Sequence, residues 1–438
     1  MPGRLVGDAG FMSLQMGVTV PRPGRRFHNF TYHLHTFAED DRKAGLLMMS
    51  AALAGLVCAN VPKLGQLYQV AVSWVPLSDL PTSRHLDLSV GGWVQDGLLA
   101  CFFLVTGLEL RQEMTSGTLQ RPKQALLPLL SATGGVAVPI AVYVLINLKS
   151  PITAGGWAVP TATDVAFSLA ALQILAPRTS PSVQAFLMTL AVCDDIIGVI
   201  LIAVCFSEPG NVWGLLLAAS GLTLWSVLAR LRRLAWPAKF GMALAAPLAW
   251  YGFLLAGIHP VLAGVALGLL TPARADTPQS SSRAARLEAR LIPLSALLAL
   301  PLFAFCSLGI PLGGFKLNWL TSPVFLGICL GLALGKPVGI MGVVAFCSRL
   351  GIKPPLGARL PDLIAPAQLC GIGFTMSFLM AQLAFKEPDL EHTALVGVLA
   401  GSLLSVLLGT CTIVCQKRSS PRRPLDQNLH RPSKGYDR

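Results

Sequence analysis

The sequence predicts an all-α polytopic membrane protein with about twelve transmembrane helices. Of its 438 residues, 53% are hydrophobic and only 13% are charged, which is about half the charged share of a typical soluble domain. The mean hydropathy is +0.62. Apolar runs close to the roughly 20 residues that a spanning helix needs recur along the chain. Together these observations argue against a soluble domain.

Twelve stretches fit a membrane span. They are residues 44–61, 93–110, 124–147, 155–176, 182–206, 212–230, 239–257, 259–271, 291–311, 323–348, 363–384 and 392–415. The eighth is short and is either a half-span or part of its neighbour. The chain is thereby divided into a cytoplasmic segment (1–43), a transmembrane domain (44–415) and a disordered basic tail (416–438).

The distribution of basic residues predicts the orientation. Cytoplasmic loops of membrane proteins are enriched in Lys and Arg. If the amino terminus is cytoplasmic, 28 of the 34 basic residues fall in inside segments and 5 in outside segments, and Lys336 remains within a span. Both termini are therefore expected in the cytoplasm. Topology explains the net charge of +13, the lipid bilayer is the expected surrounding, and no nucleic-acid partner is needed.

The longest outside segment, 62–92, contains two alternating apolar runs separated by prolines. Val70, Val72 and Trp74 form the first run. Alternation with turn residues between the runs is typical of a β-hairpin, so a hairpin is predicted here.

The ten cysteines lie in or beside apolar segments and have no metal-ligand spacing. Free cysteine is commonly a small buried apolar residue, and a disulfide framework or a zinc site is not expected. No cofactor is expected either.

Residues 160–198 carry three acids inside predicted spans: Asp164, Asp194 and Asp195. A carboxylate in hydrocarbon costs at least about 2.5 kcal/mol, so each is a candidate functional residue. Neighbours on a helix point about 100° apart, so Asp194 and Asp195 cannot face each other and share one proton. We expect one to line a water-filled cavity and the other to meet Lys336, the only Lys or Arg in the interior of a predicted span.

Helix breakers interrupt three spans, at residues 160–164, 335–337 and 371–375. Paired interruptions in two halves of a chain indicate a transporter binding site. Half-helix ends carry opposite partial charges, which Asp164 and Lys336 could neutralise. Simpler roles remain open, since Asp164 could only cap a helix and Lys336 could extend towards the interface. Carboxylate and hydroxyl oxygens suit sodium or lithium, and exchange requires only that this ion and a proton compete for one site that opens to one side of the membrane at a time.

These motifs resemble the bacterial NhaA-type sodium/proton antiporter family over nearly the whole chain, from about residue 37 to 415. The matching pieces are FFLVTGLEL (102–110), PTATDVAFSLA (160–170), FLMTLAVCDDIIGVI (186–200), GIHPVLAGVALG (257–268), LPLFAFCSLGI (300–310), GKPVGI (335–340) and CGIGFTMSFLMAQLAF (370–385).

The resemblance implies a role for each site residue. Asp195 matches the cation-binding carboxylate, whereas Asp194 matches a neighbour that pairs with Lys336 and exchanges protons. Asp164, with Thr163, matches the acid at the crossing of two broken helices.

The resemblance also implies inverted repeats, a bacterial inner-membrane location and a role in pH and sodium homeostasis. The exchange would be electrogenic, with Na⁺ or Li⁺ leaving as more than one proton enters. A homodimer would form through an outside hairpin, which 62–92 could supply.

Departures from the family pattern lie at the expected cytoplasmic mouth, among residues associated with the pH response. Gln112 stands where an arginine is usual, and Ala289 and Ile292 replace two histidines. The pH-response candidates that match are Glu109, Glu113, Glu288 and His259. We therefore expect a shifted or blunted dependence of exchange on pH. An activity curve in membrane vesicles as steep as that of histidine-bearing relatives would contradict this.

Two other classes of function compete with transport. Intramembrane aspartyl proteases also place acids within spans, but one of their aspartates follows Gly-x-Gly, and no Gly-x-Gly-Asp occurs here. A degenerate transporter fold could serve as a sensor or scaffold. The complete set of acids with Lys336 argues against that role.

Overall fold

The computed structural model describes residues 37–38, 40–77, 86–120, 122–177, 179–207, 210–231, 236–274, 281–311, 317–352 and 358–419, and these contain helices but no strand. The helices are α1 (Asp41–Asn60), α2 (Leu64–Ser73), α3 (Val90–Ser116), α4 (Pro122–Asn147), α5 (Val165–Leu175), α6 (Pro181–Cys205), α7 (Val212–Arg230), α8 (Trp236–Leu255), α9 (Val261–Leu270), α10 (Arg283–Ser307), α11 (Pro323–Arg349), α12 (Leu360–Leu369), α13 (Phe374–Ala384) and α14 (Pro388–Ser419). Short 3₁₀ helices are Thr118–Gln120, Pro151–Thr161 and Leu317–Trp319. The predicted all-helical class is confirmed.

Nine of the helices in the described ranges are long and apolar enough to cross a membrane. Two further spans are broken pairs: the 3₁₀ helix Pro151–Thr161 with α5, and α12 with α13. The third predicted interruption, at 335–337, is wrong, because α11 continues through these residues as one helix with a π-turn at Gly331–Gly335. The short α9 corresponds to the predicted eighth stretch. Each predicted span thus has a helical counterpart, while the number that crosses the bilayer stays a prediction.

The helices begin where the sequence supplies side-chain caps. The carboxylate of Asp40 accepts the amide of Arg42 at the start of α1, and Ser322 accepts the amide of Val324 at the start of α11. Pro323 is the first residue of α11. Proline is tolerated there because the first amides of a helix have no partner within it.

Glycines allow two helix pairs to approach closely. On α7 and α8, a Cβ at Gly252 would lie 2.3 Å from the Ala218 backbone nitrogen. On α3 and α9, a Cβ at Gly107 would lie 2.6 Å from the Val265 carbonyl oxygen. Small residues that bring backbones together are typical of helix packing in membranes.

The predicted hairpin at 62–92 is wrong. Residues 64–73 form α2, and 86–89 contain no strand; 78–85 lie outside the described residues. Leu64, Leu67 and Val70 recur at helical spacing and are exposed. This spacing is typical of an amphipathic helix, whereas a strand would show apolar residues at every second position. Tyr68 points towards α10, where its hydroxyl donates to the Phe305 and Cys306 carbonyls. Burial raises the pKa of Tyr68, so the donor stays protonated.

The predicted terminal segments lie mostly outside the described residues, which begin at 37 and end at 419. Helix α14 continues to Ser419, so the first residues of the predicted tail 416–438 are helical. At the amino end, α1 begins at Asp41, slightly earlier than the predicted span.

Candidate ion-binding site

The two broken spans cross where their helices are interrupted. The 3₁₀ helix Pro151–Thr161 and α5 are bent by 53°, and α12 and α13 by 50°. Hydrogen bonds that join the two breaks are Asp164 N–H to Ile372 O (2.7 Å), Thr163 Oγ1 to Cys370 O (2.9 Å) and Ser168 Oγ to Leu369 O (2.9 Å). The carbonyl end of α12 is therefore tied to the chain around Asp164.

Asp164 lies at the amino ends of two half-helices at once. Its Oδ1 accepts the amide of Phe167 at the start of α5 (3.2 Å). Its Oδ2 accepts both the amide (3.2 Å) and the hydroxyl (2.6 Å) of Thr375 at the start of α13. A helix amino end is equivalent to about half a positive charge. One buried carboxylate thus faces two positive ends.

Lys336 occupies the opposite position, at the carbonyl end of the 3₁₀ helix Pro151–Thr161. Its ammonium group is 1% exposed and donates to the carbonyl oxygen of Thr161. The Nζ atom also lies 2.6 Å from Asp194 Oδ2 on α6. The cation therefore neutralises a helix end and a carboxylate at the same time, and it does not extend towards the interface.

Asp195 differs from its neighbour. Among the described residues the Asp195 carboxylate makes no hydrogen bond or ion pair, although it interacts electrostatically with Asp194, Glu109, Asp164 and Lys336. Asp194 has one oxygen on Lys336, whereas its buried Oδ1 has no partner in the described part of the chain. The two acids thus have separate surroundings on one helix, and Asp195 retains oxygen lone pairs for a ligand.

The candidates at the predicted cytoplasmic mouth lie at the carboxyl end of α3 and the start of α10. Gln112 donates to Glu288 Oε2 and to the Leu108 carbonyl (3.2 Å). Glu109 interacts electrostatically with Asp195, and Glu113 with Cys193, which precedes Asp194. These acids therefore connect the helix ends with the centre of α6. In this chain the side-chain amide of Gln112 contacts Glu288.

The structure does not place His259 with that group. His259 Nε2 lies 3.6 Å from Asp96 Oδ1, near the amino end of α3. Asp96 and Glu109 are separated along α3 by about 20 Å at 1.5 Å per residue. The four predicted pH-response candidates are thus divided between the two ends of one span.

The arrangement suits a small hard cation and a proton. Carboxylate, hydroxyl and carbonyl oxygens are the ligands that such ions prefer. No group of three or more His, Cys, Asp or Glu side chains able to hold a metal ion occurs within the described ranges. Asp195 instead offers a single buried carboxylate beside Asp194, whose charge Lys336 balances.

Sequence reasoning missed several side chains that hold this site together. Ser168 and Thr375 belong to the quoted motifs, but their contacts join residues about 200 positions apart. Gln368 donates to the Ala333 carbonyl ahead of Lys336 (2.6 Å). The usable signal was the polar residue beside each helix break, since unpaired backbone groups in a membrane need a partner.

Comparisons with known proteins show which family the whole chain resembles. The profile of the family described as Na⁺/H⁺ antiporter 1 matches residues 35–413. The Na⁺/H⁺ antiporter NhaA of Bifidobacterium adolescentis is 40% identical over 397 residues, covering 86% of each chain. The NhaA 2 protein of Pseudomonas syringae pv. syringae is 39% identical over 395 residues, covering 90% of this chain and 97% of the relative.

A solved structure shows a similar fold. The sodium proton antiporter MjNhaP1 of Methanocaldococcus jannaschii, at pH 8, superposes with a TM-score of 0.51 at 16% sequence identity. The match covers 88% of this chain and 97% of the other. At this identity the likeness concerns the fold alone.

Proposed function

The chain belongs to the Na⁺/H⁺ antiporter 1 family, and from this premise we propose that Asp195 is the carboxylate at which Na⁺ and H⁺ compete. The chain is a multi-pass protein of a bacterial membrane that exchanges Na⁺ for H⁺, and it is a transporter and not an enzyme. The observation that carries the proposal is the contrast between two adjacent acids. Asp194 is paired with Lys336, and Asp195 makes no hydrogen bond within the described residues.

The proposed mechanism is competition at one buried site. A proton on Asp195 removes the negative charge that a cation needs, and a bound cation displaces the proton. Hydroxyl and backbone oxygens at the helix breaks would complete the ligand set. Because only one ion occupies the carboxylate at a time, opening the site to alternate sides converts a proton gradient into Na⁺ movement.

Asp194 and Lys336 are proposed as the proton-linked partner of that site. A cation arriving at Asp195 repels the Lys336 ammonium group, and a nearby like charge favours loss of a proton from a cationic group. Binding of the cation would therefore favour release of a proton from the pair. Two protons for one Na⁺ would make the exchange electrogenic. Each net charge then gains about 2.3 kcal/mol per 100 mV.

Asp164 and Thr163 are proposed as supporting residues that hold the crossing. Their bonds join helix ends whose partial charges would otherwise be unbalanced in the membrane. They need not bind the transported ion themselves.

The proposal is tested in everted vesicles energised by respiration, with a pH-sensitive dye. Addition of Na⁺ or Li⁺ is expected to release the trapped protons, whereas K⁺ is expected to do no more than a choline control. An imposed diffusion potential is expected to change the Na⁺-dependent rate. No response to Na⁺ would contradict the exchange, and a rate insensitive to potential would contradict its electrogenic form.

Two finer expectations accompany this function. The 28 to 5 distribution of basic residues supports cytoplasmic termini. A fluorescent protein that matures only in the cytoplasm should therefore fluoresce when it is fused after Arg438.

A homodimer through residues 62–92 is also proposed. Since the hairpin is absent from α2, the exposed apolar face of that helix would form the contact. A detergent-solubilised particle containing a single 46.3 kDa chain would contradict it.

A further inference from the structure

The hydrogen bonding of α11 changes just before Lys336. Residues Gly331–Gly335 form a π-turn, and the Lys336 amide bonds to the Gly331 carbonyl, five residues back. Pro337 follows, and proline has no N–H to donate. Single π-turns within α-helices often occur at functional sites. Here the turn presents the residue whose ammonium group reaches Asp194.

This geometry leaves two carbonyl groups without their usual helical donors. In a regular α-helix the Leu332 carbonyl would accept the amide of Lys336, and the Ala333 carbonyl would accept the amide of Pro337. The Lys336 amide instead donates to the Gly331 carbonyl, and Pro337 has no amide N–H to donate. Leu332 and Ala333 are both completely buried. An unpaired buried acceptor costs about 1–3 kcal/mol, so another donor is needed.

The second broken span faces both carbonyl groups. Gln368, on α12, is buried and donates its Nε2 to the Ala333 oxygen at 2.6 Å. Gly371, in the break, lies against the Leu332 oxygen, where a Cβ would approach to 2.4 Å. The side-chain amide therefore replaces the donor that Pro337 lacks.

We propose that Gln368 is a positioning residue for Lys336. By pairing the Ala333 carbonyl it fixes the π-turn from which the ammonium group reaches both Asp194 and the Thr161 carbonyl. The inference rests on the proposed function, in which the Asp194–Lys336 pair is linked to proton exchange. Gln368 itself is not assigned a contact with the transported ion. It connects the half-helix α12 to the cation of the site.

A displaced Lys336 ammonium group would change its interactions with the ionisable groups around it. In the described part of the chain these groups include Asp194 on α6 in direct contact, Asp195 on the same helix and Cys370 after α12. Asp164, at the crossing, acts on Asp195. A shift of Lys336 changes its interaction with the two α6 acids together, so the pH dependence of exchange should change, and not only its rate.

Gln368→Met is the decisive variant because methionine has nearly the same volume and no donor. We expect the maximal Na⁺/H⁺ exchange rate to fall about tenfold, the equivalent of one lost hydrogen bond, and the pH of half-maximal activity to shift. The matched control is Asn147→Leu. Asn147 is a buried amide that donates to the Pro323 carbonyl (3.0 Å) at the start of the same helix α11. Asn147 lies far from Lys336. Its loss should therefore lower the exchange rate by the same factor at every pH and leave the pH of half-maximal activity unchanged.

A second variant tests the substituted donor directly. Pro337→Ala supplies a backbone N–H where none exists, so Gln368→Met combined with Pro337→Ala should exchange faster than Gln368→Met alone. If Gln368→Met does not accumulate in the membrane, recovery of membrane protein in the double variant supports the proposal and failure to recover overturns it.

The outcomes separate this inference from the proposed function. Wild-type vesicles that give no Na⁺-dependent proton release contradict the function itself. If wild type exchanges but Gln368→Met gives the same pH curve as Asn147→Leu, the positioning role is wrong. A shifted curve with rescue by Pro337→Ala supports it.

Discussion

Replacing Asp195 with asparagine is expected to reduce Na⁺/H⁺ exchange at least about 100-fold. Asparagine keeps the size of the side chain but neither carries a charge nor takes up a proton near neutral pH. A unit charge about 4 Å from a cation contributes roughly 4 kcal/mol at an effective dielectric near 20, close to a thousandfold in affinity. The measurement is Na⁺-induced dequenching in everted vesicles containing equal amounts of each protein.

The control for this prediction is Asp87→Asn. Asp87 is an exposed aspartate outside the spanning helices, so the same chemical change there should leave exchange within about twofold of wild type, as expected for a surface substitution. Full activity of Asp195→Asn would remove Asp195 from the site. Equal loss in both variants would mean that the assay reports protein quality and not ion binding.

Replacing Lys336 with methionine is expected to cause the largest loss of stability of any single substitution at the site. Asp194 would then be a buried carboxylate without a cation, and breaking a buried ion pair from one side costs about 3–5 kcal/mol. The Thr161 carbonyl would lose its donor as well. Thermal unfolding of the detergent-purified protein should therefore begin at a clearly lower temperature than in wild type.

The double variant Asp194→Asn with Lys336→Met separates charge from packing. Removing both members of a buried pair is often neutral for stability, so most of the loss should be recovered. Lys43→Met is the matched control, since Lys43 pairs with Asp40 at the surface (3.0 Å), where such pairs contribute about 0–1 kcal/mol. A double variant no more stable than Lys336→Met alone would show that packing, and not the unpaired charge, dominates.

The parts of the site that sequence could predict are those with a cost visible in the residues themselves. Placing an acid or a lysine within a membrane span costs free energy whatever the surrounding fold. This cost singled out Asp164, Asp194, Asp195 and Lys336. Helix breakers likewise located the two broken spans, although a third breaker, at 335–337, lies within a continuous helix. The structure brings these residues together at one place.

The parts that sequence could not predict depend on how distant segments meet. Which hydroxyl reaches Asp164, and which amide reaches Ala333, is decided by the crossing of spans far apart in the chain. The hairpin error had a local cause. Over ten residues, Val70, Val72 and Trp74 fit alternation, while Leu64, Leu67 and Val70 fit a helical period. Contacts of Tyr68 with α10 favour the helix.

The bonds at the crossing have a mechanical consequence. Asp164 accepts from both half-helices and donates its own amide to Ile372, so neither broken span can slide past the other without losing several buried hydrogen bonds. The two should therefore travel as one rigid piece. Under the proposed mechanism, exposure of Asp195 to alternate sides would then come from displacement of this piece relative to the surrounding helices. The ligands would stay constant while the permeability barrier changed sides.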